Sequence, residues 1–246
     1  MIYATVTPGA CLPVRRQRAM MTEGESEMTE VRVDATAAPY LRAAVVEAEG
    51  ITVTQHNAAL RAEIDAVTAR VRSAYAGRQP SEIAGLRPAR DLYHRVGVDP
   101  TKLRPSSEAL LRRVLRGDEL PVINSLVDIN NLCSLEFLLP MGLHDLDAAR
   151  GGLVLRVGRA GERYDAIGKG AYSVEGRITA ADDLGPCGSP TSDSQRTMIT
   201  LTTRRCLMII YAPLGHPTAT LEAHAATAVS RIMRFAGGAI VQARVL

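Results

Sequence analysis

Polar side chains interrupt the most apolar long segment of the chain, residues 121–145. This segment reads PVINSLVDINNLCSLEFLLPMGLHD, and its polar members include Asn124, Ser125, Asp128, Asn130, Asn131, Ser134 and Glu136. Burying an amide or a carboxylate without a partner costs about 1–3 kcal/mol, so a helix that only filled a core would carry Leu and Ala at most of these positions. We therefore expect this helix to form the wall of a polar pocket.

Three of these polar residues are candidates for contact with a ligand. Asp128 and Asn131 stand three positions apart and Leu135 follows four positions later, so the three share one face of a helix. Ser134 is next to that face. The same side chains also suit hydrogen bonds that tie neighbouring loops to the helix, and the sequence leaves both interpretations open.

A second polar cluster occupies residues 185–197, GPCGSPTSDSQRT, between two apparent strands. Small hydroxylic residues and glycines are typical of a solvated turn, and they also suit a loop that offers amides and hydroxyls to a ligand. We favour ligand contact, through Asp193 and Ser194, because the next predicted strand continues with threonines. Alternation would place Thr200 and Thr202 on one face of that strand, although a row of threonines is also an ordinary strand surface.

No recognised catalytic or cofactor motif accompanies the two clusters. His144 precedes Asp145 and could act as a base or cap a turn, and the other histidines lie outside known catalytic patterns. Cys133 stands in an apolar run and is expected to pack in the core. There is no CxxC, no GxGxxG and no Walker lysine. The sequence predicts no metal and no cofactor, and it assigns no catalytic residue.

Composition narrows the classes of partner. The 246 residues carry a net charge of +3, with no Trp and two Phe, so attraction to polyanions is weak and an aromatic stacking platform for single strands is not expected. No apolar run reaches the roughly 18–20 residues of a membrane span. Four widely separated cysteines favour a reducing, cytoplasmic location.

The elements that must position these residues follow from hydrophobic periodicity and turn signals. Helices are predicted over residues 39–50, 57–76, 87–97, 105–117, 125–138 and 218–236. Strands are predicted over residues 31–34, 50–54, 153–158, 163–168, 173–183, 196–213 and 239–246. Helices followed by strands indicate an α+β fold with a sheet-rich core and packed helices. We expect one domain over residues 28–246, and a disordered extension or an over-long start over residues 1–27.

Two helix starts carry capping signals. Asn124 is expected to cap the helix over residues 125–138. A serine after Pro105 is expected to cap the preceding helix, with Glu108 favourably placed in its first turn.

Three blocks of the chain resemble a known family. They are PSSEALLRRVLRG (105–117), INSLVDINNLCSLEFLLPMGLHDLD (123–147) and SDSQRTMITLTTRR (192–205). Together they resemble the B-three/B-four domain of the bacterial phenylalanyl-tRNA synthetase beta subunit, and most of all its free-standing version. The resemblance implies a fold shared with the substrate-binding domain of a tRNA lysidine synthetase. In the synthetase, this domain hydrolyses tyrosine wrongly attached to phenylalanine tRNA, without metal or cofactor, by positioning the ester and a water with help from the terminal hydroxyl of the tRNA.

The resemblance supports two main hypotheses. The chain is too short for the other modules of the synthetase, so we do not expect it to charge tRNA. The first hypothesis is a trans-acting hydrolase of mischarged aminoacyl-tRNA, with the ligand between residues 125–138 and 185–197. The second is a non-catalytic module that binds tRNA or a small amino-acid-like ligand. An enzyme that uses the same pocket on an unrelated small molecule is a third reading.

The hypotheses assign roles to particular residues. The amino acid would be oriented by Asp128, Asn131 and Ser134. The ester or water would be contacted by Asp193, Ser194 and Thr200. The phosphates of the tRNA would bind to Arg112, Arg113, Lys169, Arg204 and Arg205, although a surface arginine can also contribute only to solubility.

Overall fold

Three β-sheets and five α-helices build the part of the protein described by the computed structural model, residues 28–246. The predicted extension over residues 1–27 lies outside the described residues. The strands are β1 (Val31–Val33), β2 (Leu41–Glu49), β3 (Met141–Asp145), β4 (Leu153–Val157), β5 (Arg163–Ala166), β6 (Gly170–Ser173), β7 (Ile178–Asp182), β8 (Gly185–Ser189), β9 (Ser192–Asp193), β10 (Arg205–Pro213) and β11 (Ala239–Val245). The helices are α1 (Ala58–Ala74), α2 (Arg87–Arg95), α3 (Ser106–Leu115), α4 (Ser125–Phe137) and α5 (Thr218–Phe235).

A four-stranded antiparallel sheet, in the order β11-β2-β10-β3, separates two hydrophobic cores. On one face, alternate residues of β2 and β10 pack with α1, α3, α4 and α5. On the other face, the intervening residues pack with α2 and with a second sheet in the order β1-β4-β7-β8-β9. A short hairpin, β5-β6, adds a third cluster. This arrangement confirms the predicted α+β class with a sheet-rich core.

The prediction of a helix over residues 39–50 is wrong, because most of this segment forms β2. Ala44, Val46 and Ala48 face one core while Ala43 and Val45 face the other. A strand that is buried on both faces has a nearly continuous apolar sequence, and periodicity alone cannot separate it from a buried helix. The strand predicted over residues 50–54 is absent from this described stretch, although Ile51 and Val53 are buried there.

The strand predicted over residues 196–213 begins only at Arg205. The residues before it form a turn, in which the Thr200 amide donates to Thr203 Oγ1 at 2.9 Å and Thr200 Oγ1 lies 2.9 Å from Thr202 Oγ1. Thr200 and Thr202 therefore do not lie on one face of a strand as predicted. Hydroxyl side chains that bond to nearby backbone favour turns over strands.

Three segments near the polar clusters also differ in detail from the prediction. Residues 141–145, to which the sequence assigned neither a helix nor a strand, form β3 against β10. Residues 185–193, expected as a loop, form the β8-β9 hairpin. Helix α3 begins after Pro105 without a side-chain cap. The Asn124 cap of α4 is confirmed, since its side chain accepts from the Val127 amide at 3.0 Å.

Candidate functional site

The two polar clusters of the sequence border one cavity of about 160 Å³. Helix α4 forms one wall, the start of α3 and strand β3 form others, and β9 with its neighbouring loops completes the site. We call it the α4–β9 cavity. Its lining residues are Ser106, Leu110, Val127, Asn130, Asn131, Ser134, Met141, Leu143, Ile167, Thr191, Ser192, Asp193, Met198 and Ile199.

Three buried polar atoms on lining residues of the α4–β9 cavity have no hydrogen-bond partner within the described residues. They are Ser106 Oγ, Asn130 Oδ1 and Asp193 Oδ1. Most buried polar groups in native proteins are paired, and leaving one unpaired costs about 1–3 kcal/mol. Three such atoms around one cavity are the arrangement expected where a polar ligand or ordered water completes the bonding.

Asp193 is the only charged residue among those that line the cavity. Its Oδ2 accepts a hydrogen bond from the Leu143 amide at 3.2 Å, which orients the carboxyl group while Oδ1 stays unpartnered. Burial raises the pKa of the Asp193 carboxyl to about 7, and the Leu143 hydrogen bond opposes this rise only in part. Near neutral pH, small changes at the site will therefore change the charge of this group.

Two glycines bring further polar groups close behind Asp193. A Cβ atom on Gly142 would lie 3.0 Å from Tyr211 Oη and 3.3 Å from Asp193 Oδ1. A Cβ atom on Gly188 would lie 2.5 Å from His144 Cε1 and 3.1 Å from Asp193 Oδ1. A side chain at Gly188 would therefore force His144 to move, whereas Gly142 leaves only tight room for a Cβ atom. Tyr211 Oη and His144 Nε2 are also buried without partners among residues 28–246.

His144 is not placed to act as a base on a ligand in the cavity. It lies in β3 and is fully buried, outside the cavity lining. Its Nδ1 lies 3.1 Å from Thr197 Oγ1, at hydrogen-bond distance. Burial lowers the pKa of His144 to about 4, so the imidazole is neutral at physiological pH. The packing role predicted for Cys133 agrees with its full burial and with a thiol pKa that burial raises to about 11.

Three of the six predicted substrate-binding residues line the α4–β9 cavity: Asn131, Ser134 and Asp193. Asn131 is partly buried. Ser134 Oγ donates to the Leu139 carbonyl at 2.8 Å, so its proton helps to close the end of α4, and the oxygen can still accept a bond. Their roles toward a ligand remain predictions.

The other three residues lie apart from this cavity. Asp128 Oδ1 accepts from the Ile123 amide at 3.0 Å, and the residue lines a different cavity of about 520 Å³ beside His56 and Arg61. Asp128 therefore does not line the same cavity as Asn131, because its carboxylate accepts a bond from the chain that enters α4. A role for Asp128 in ligand binding remains a prediction. Ser194 is buried and accepts from the Arg196 amide. Thr200 lies in the turn that precedes β10.

The five predicted phosphate-binding residues fall on three elements. Arg112 and Arg113 lie in the last turn of α3, and Lys169 lies in the β5-β6 turn. Arg205 is the first residue of β10, and Arg204 directly precedes it. Arg112 donates to the buried Glu108, and Arg205 pairs with the buried Glu47 at 3.4 Å. Arg113, Lys169 and Arg204 are exposed and are the members of the set that solvent reaches best.

Sequence reasoning missed Ser106 as a lining residue of the α4–β9 cavity and Tyr211 as a buried group behind Asp193. In the sequence, Ser106 is recognisable only as a serine at the start of a helix, and nothing in its local sequence indicates a cavity. Within residues 28–246, no three His, Cys, Asp or Glu side chains are grouped to hold a metal ion, and no helix of this stretch is long and apolar enough to cross a membrane.

The chain matches a recognised domain class. Residues 88–230, more than half of the chain, match the family model described as the B3/4 domain. The chain therefore belongs to the B3/4 domain family, in agreement with the resemblance carried by its three sequence blocks.

Among solved structures, the chain is similar to an N-terminal fragment of the phenylalanyl-tRNA synthetase beta-subunit from Pyrococcus horikoshii, with 12% identity and a TM-score of 0.43. The match covers 89% of this chain and 50% of that chain, so the protein spans about half the length of the fragment. A comparison with curated protein sequences gives no match.

Proposed function

We propose that this B3/4 domain binds the aminoacyl end of tRNA in the α4–β9 cavity. The observation that carries the proposal is that three residues lining one cavity, Ser106, Asn130 and Asp193, each have a buried polar atom without a hydrogen-bond partner in the described part of the chain. Two of the three sequence blocks that resemble the synthetase domain contribute Asn130 and Asp193, and the remaining block contributes Ser106. An aminoacyl ester offers the donors and acceptors that such a site requires.

Apolar residues give the cavity a second kind of surface. Leu110, Val127 and Leu143 line its walls, and Ile167 and Met198 line it with 48% and 43% of their surfaces exposed. Exposed large apolar side chains beside a polar cavity are typical of a ligand-binding site. They would contact the side chain of the amino acid or the terminal base of the tRNA.

The phosphates of the tRNA would bind to the exposed cations Arg113, Lys169 and Arg204. The modest net charge of +3 and the spread of these residues over three elements suit contact with a few phosphates. We therefore expect tRNA binding to weaken as salt rises, because each neutralised phosphate releases counterions.

Replacing Asn131 by alanine is expected to weaken the binding of aminoacyl-tRNA by about 3–10-fold, the loss of one hydrogen bond. The measurement is fluorescence anisotropy with a panel of aminoacylated tRNAs, and a thermal melt verifies folding. Asp128→Asn is the matched control, since Asp128 lines the other cavity and its remaining oxygen still accepts from Ile123. Unchanged binding by the Asn131 variant, or an equal loss in the control, would place the ligand elsewhere.

A second candidate function is hydrolysis of the bound ester. The Asn131 amide and the Ser106 hydroxyl line the cavity and are donors that can stabilise the negative charge that develops on an ester oxygen. The lining holds no Cys, His or Lys that could serve as a nucleophile or its base. Hydrolysis here would depend on positioning the ester and a water, with the terminal hydroxyl of the tRNA assisting, as the family resemblance implies.

For a hydrolase, the panel of mischarged tRNAs is expected to be deacylated faster than in buffer, and Asn131→Ala should lower the rate by about tenfold or more. Release of radiolabelled amino acid measures the rate. Saturable binding without release above the buffer rate, across the whole panel, would reject hydrolysis and leave the binding function standing.

A further inference from the structure

Four arginines line a cleft where helices α1 and α3 end. The cleft has a volume of about 440 Å³ and shares no lining residue with the α4–β9 cavity. We call it the arginine cleft. Its arginines are Arg72, Arg78, Arg112 and Arg116, and its lining contains no acidic residue. A concave surface lined by charges of one sign concentrates counterions of the other sign, so the cleft attracts anions.

Most of this positive charge is not neutralised by the protein itself. Among residues 28–246, neither Arg72 nor Arg78 forms an ion pair. Arg116 pairs with Asp118 at 3.0 Å, but the two side chains are 64% and 45% exposed, and an exposed pair of this kind is weak. Only Arg112 donates to a buried carboxylate. Three guanidinium groups of the cleft are therefore available to an anionic partner.

The helix ends explain only part of this arrangement. The last carbonyl groups of α1 and α3 carry partial negative charge, which favours cations nearby. Arg72 lies in the last turn of α1, and its Nε donates to the Val114 carbonyl of α3 at 3.1 Å. Arg78 lies beyond that last turn and is exposed, where the effect of the helix dipole has fallen off. Stabilisation of the helix ends does not account for Arg78.

The exposure of the arginines favours a large anionic partner over a small one. Sites for small molecules usually bury most of the ligand, whereas Arg72, Arg78 and Arg116 are exposed. Guanidinium groups in this position suit phosphates on the surface of a macromolecule. Tyr75, which is half-buried, also lines the cleft. Arginines beside an aromatic ring are a combination that binds nucleic acid strands, because the ring can stack on a base.

Helix α3 connects the arginine cleft to the α4–β9 cavity. Leu110 lines the cavity and Arg116 lines the cleft. Arg113 stands three residues from each and is exposed, and residues three apart are neighbours on a helix surface. At 1.5 Å per residue, Ser106 at the start of α3 lies about 15 Å from Arg116 along the helix axis. This length corresponds to about four stacked nucleotides of one strand.

We propose that the arginine cleft binds backbone phosphates of the tRNA, about four nucleotides from the aminoacyl end in the α4–β9 cavity, with Arg113 contacting the strand between the two sites. This inference rests on the proposed function for the identity of the polyanion. It adds a binding surface that does not depend on the aminoacyl group. Uncharged tRNA should therefore bind to the cleft, with an affinity that falls as salt rises.

Arg78→Glu tests the cleft with uncharged tRNA, and fluorescence anisotropy measures the binding. At about 50 mM salt we expect an affinity at least about tenfold lower than that of the wild type, because glutamate repels the phosphate that arginine attracts. The plot of log affinity against log salt should become less steep by about 1. Arg116→Ala, at a second position of the cleft, should act in the same direction with a smaller loss. Thermal melts verify that both variants fold.

The matched control is Arg95→Glu. Arg95 is exposed and lies in the last turn of α2, so the variant changes the net charge and a helix end in the same way but lies outside the cleft. It should weaken binding by about threefold or less. Equal losses in Arg78→Glu and Arg95→Glu would overturn the inference. It is also overturned if folded Arg78→Glu and Arg116→Ala proteins bind uncharged tRNA as the wild type does.

Inorganic pyrophosphate separates a polynucleotide from a small phosphate compound as the partner of the cleft. Up to about 10 mM, pyrophosphate should displace tRNA no more than sodium chloride of equal ionic strength does, because a single small anion contacts few of the cations that a strand contacts. Displacement at micromolar concentrations that is lost in Arg78→Glu would assign the cleft to a small phosphate ligand and overturn the inference.

The two proposals fail separately. If Arg78→Glu weakens the binding of uncharged tRNA while Asn131→Ala leaves the binding of aminoacyl-tRNA unchanged, the cleft is upheld and the α4–β9 cavity is rejected as the site of the aminoacyl end. If Asn131→Ala weakens the binding of aminoacyl-tRNA while Arg78→Glu has no effect, the proposed function stands and the cleft is rejected.

Discussion

Replacing Asp193 by asparagine is expected to raise the free energy of unfolding of the unliganded protein by about 2–4 kcal/mol at pH 8. Asparagine has the same shape, and its Oδ1 can accept from the Leu143 amide as Asp193 Oδ2 does at 3.2 Å. It removes a carboxylate that is buried with no cation among the lining residues. The gain identifies Asp193 as a residue that lowers stability in the free state, as ligand-binding groups often do.

The sign follows from the pKa of Asp193, which burial raises to about 7, against about 3.9 in an unfolded chain. Between about pH 4 and pH 7 the folded state binds a proton that the unfolded state has lost, so stability falls as pH rises through this range. The destabilisation caused by Asp193 is complete above about pH 7 and absent near pH 4. Asparagine should therefore stabilise the protein at pH 8 and have little effect near pH 4.

Urea unfolding at both pH values measures the effect. Asp182→Asn is a control of opposite sign, because Asp182 is paired with Arg196 at 2.7 Å and its pKa is lowered, burial being outweighed by the hydrogen bond from Arg196. That variant should be destabilised at pH 8. An Asp193→Asn protein that is less stable than the wild type at both pH values would contradict the assignment.

Glu108→Ala is expected to lower the free energy of unfolding by about 2–4 kcal/mol. The Glu108 side chain is 2% exposed and accepts from Arg90 Nε at 2.8 Å and Nη2 at 2.9 Å, and from Arg112 Nε at 2.8 Å. Alanine leaves Arg90, itself largely buried, without its bidentate partner and opens a gap between α2 and α3. Because Ser106 begins α3, the same pair helps to hold the edge of the α4–β9 cavity.

The matched control is Asp118→Ala, which removes a carboxylate 45% exposed that pairs with Arg116 at 3.0 Å. An exposed pair of this kind contributes less than about 1 kcal/mol. Thermal and urea unfolding of both variants give the comparison. Equal losses in the two variants would show that Glu108 acts only as a surface charge. The pKa of Glu108 is lowered, since burial is outweighed by the bonds from Arg90 and Arg112, so its contribution is lost as pH falls below about 4.

Local sequence determined the elements whose signals are short-range. Helices α1 and α5 follow from apolar spacing that repeats every three or four residues, and α4 begins where the Asn124 cap indicated. The family could also be recognised from the sequence, because each of the three blocks that resemble it is continuous. The polar residues within residues 121–145 predicted that this helix lines a cavity, and Asn130, Asn131 and Ser134 do line one.

Tertiary structure alone decided how these pieces work together. Strand β2 is a strand because layers cover both of its faces, which no local pattern reports. Asn131 and Asp193 line the same cavity although 62 positions separate them in the sequence, whereas Asp128, three residues from Asn131, lines another cavity. The raised pKa of Asp193 arises from burial by groups distant in sequence. Spacing along a helix defines which residues can share a face, but long-range packing defines which of them share a site and what charge they carry there.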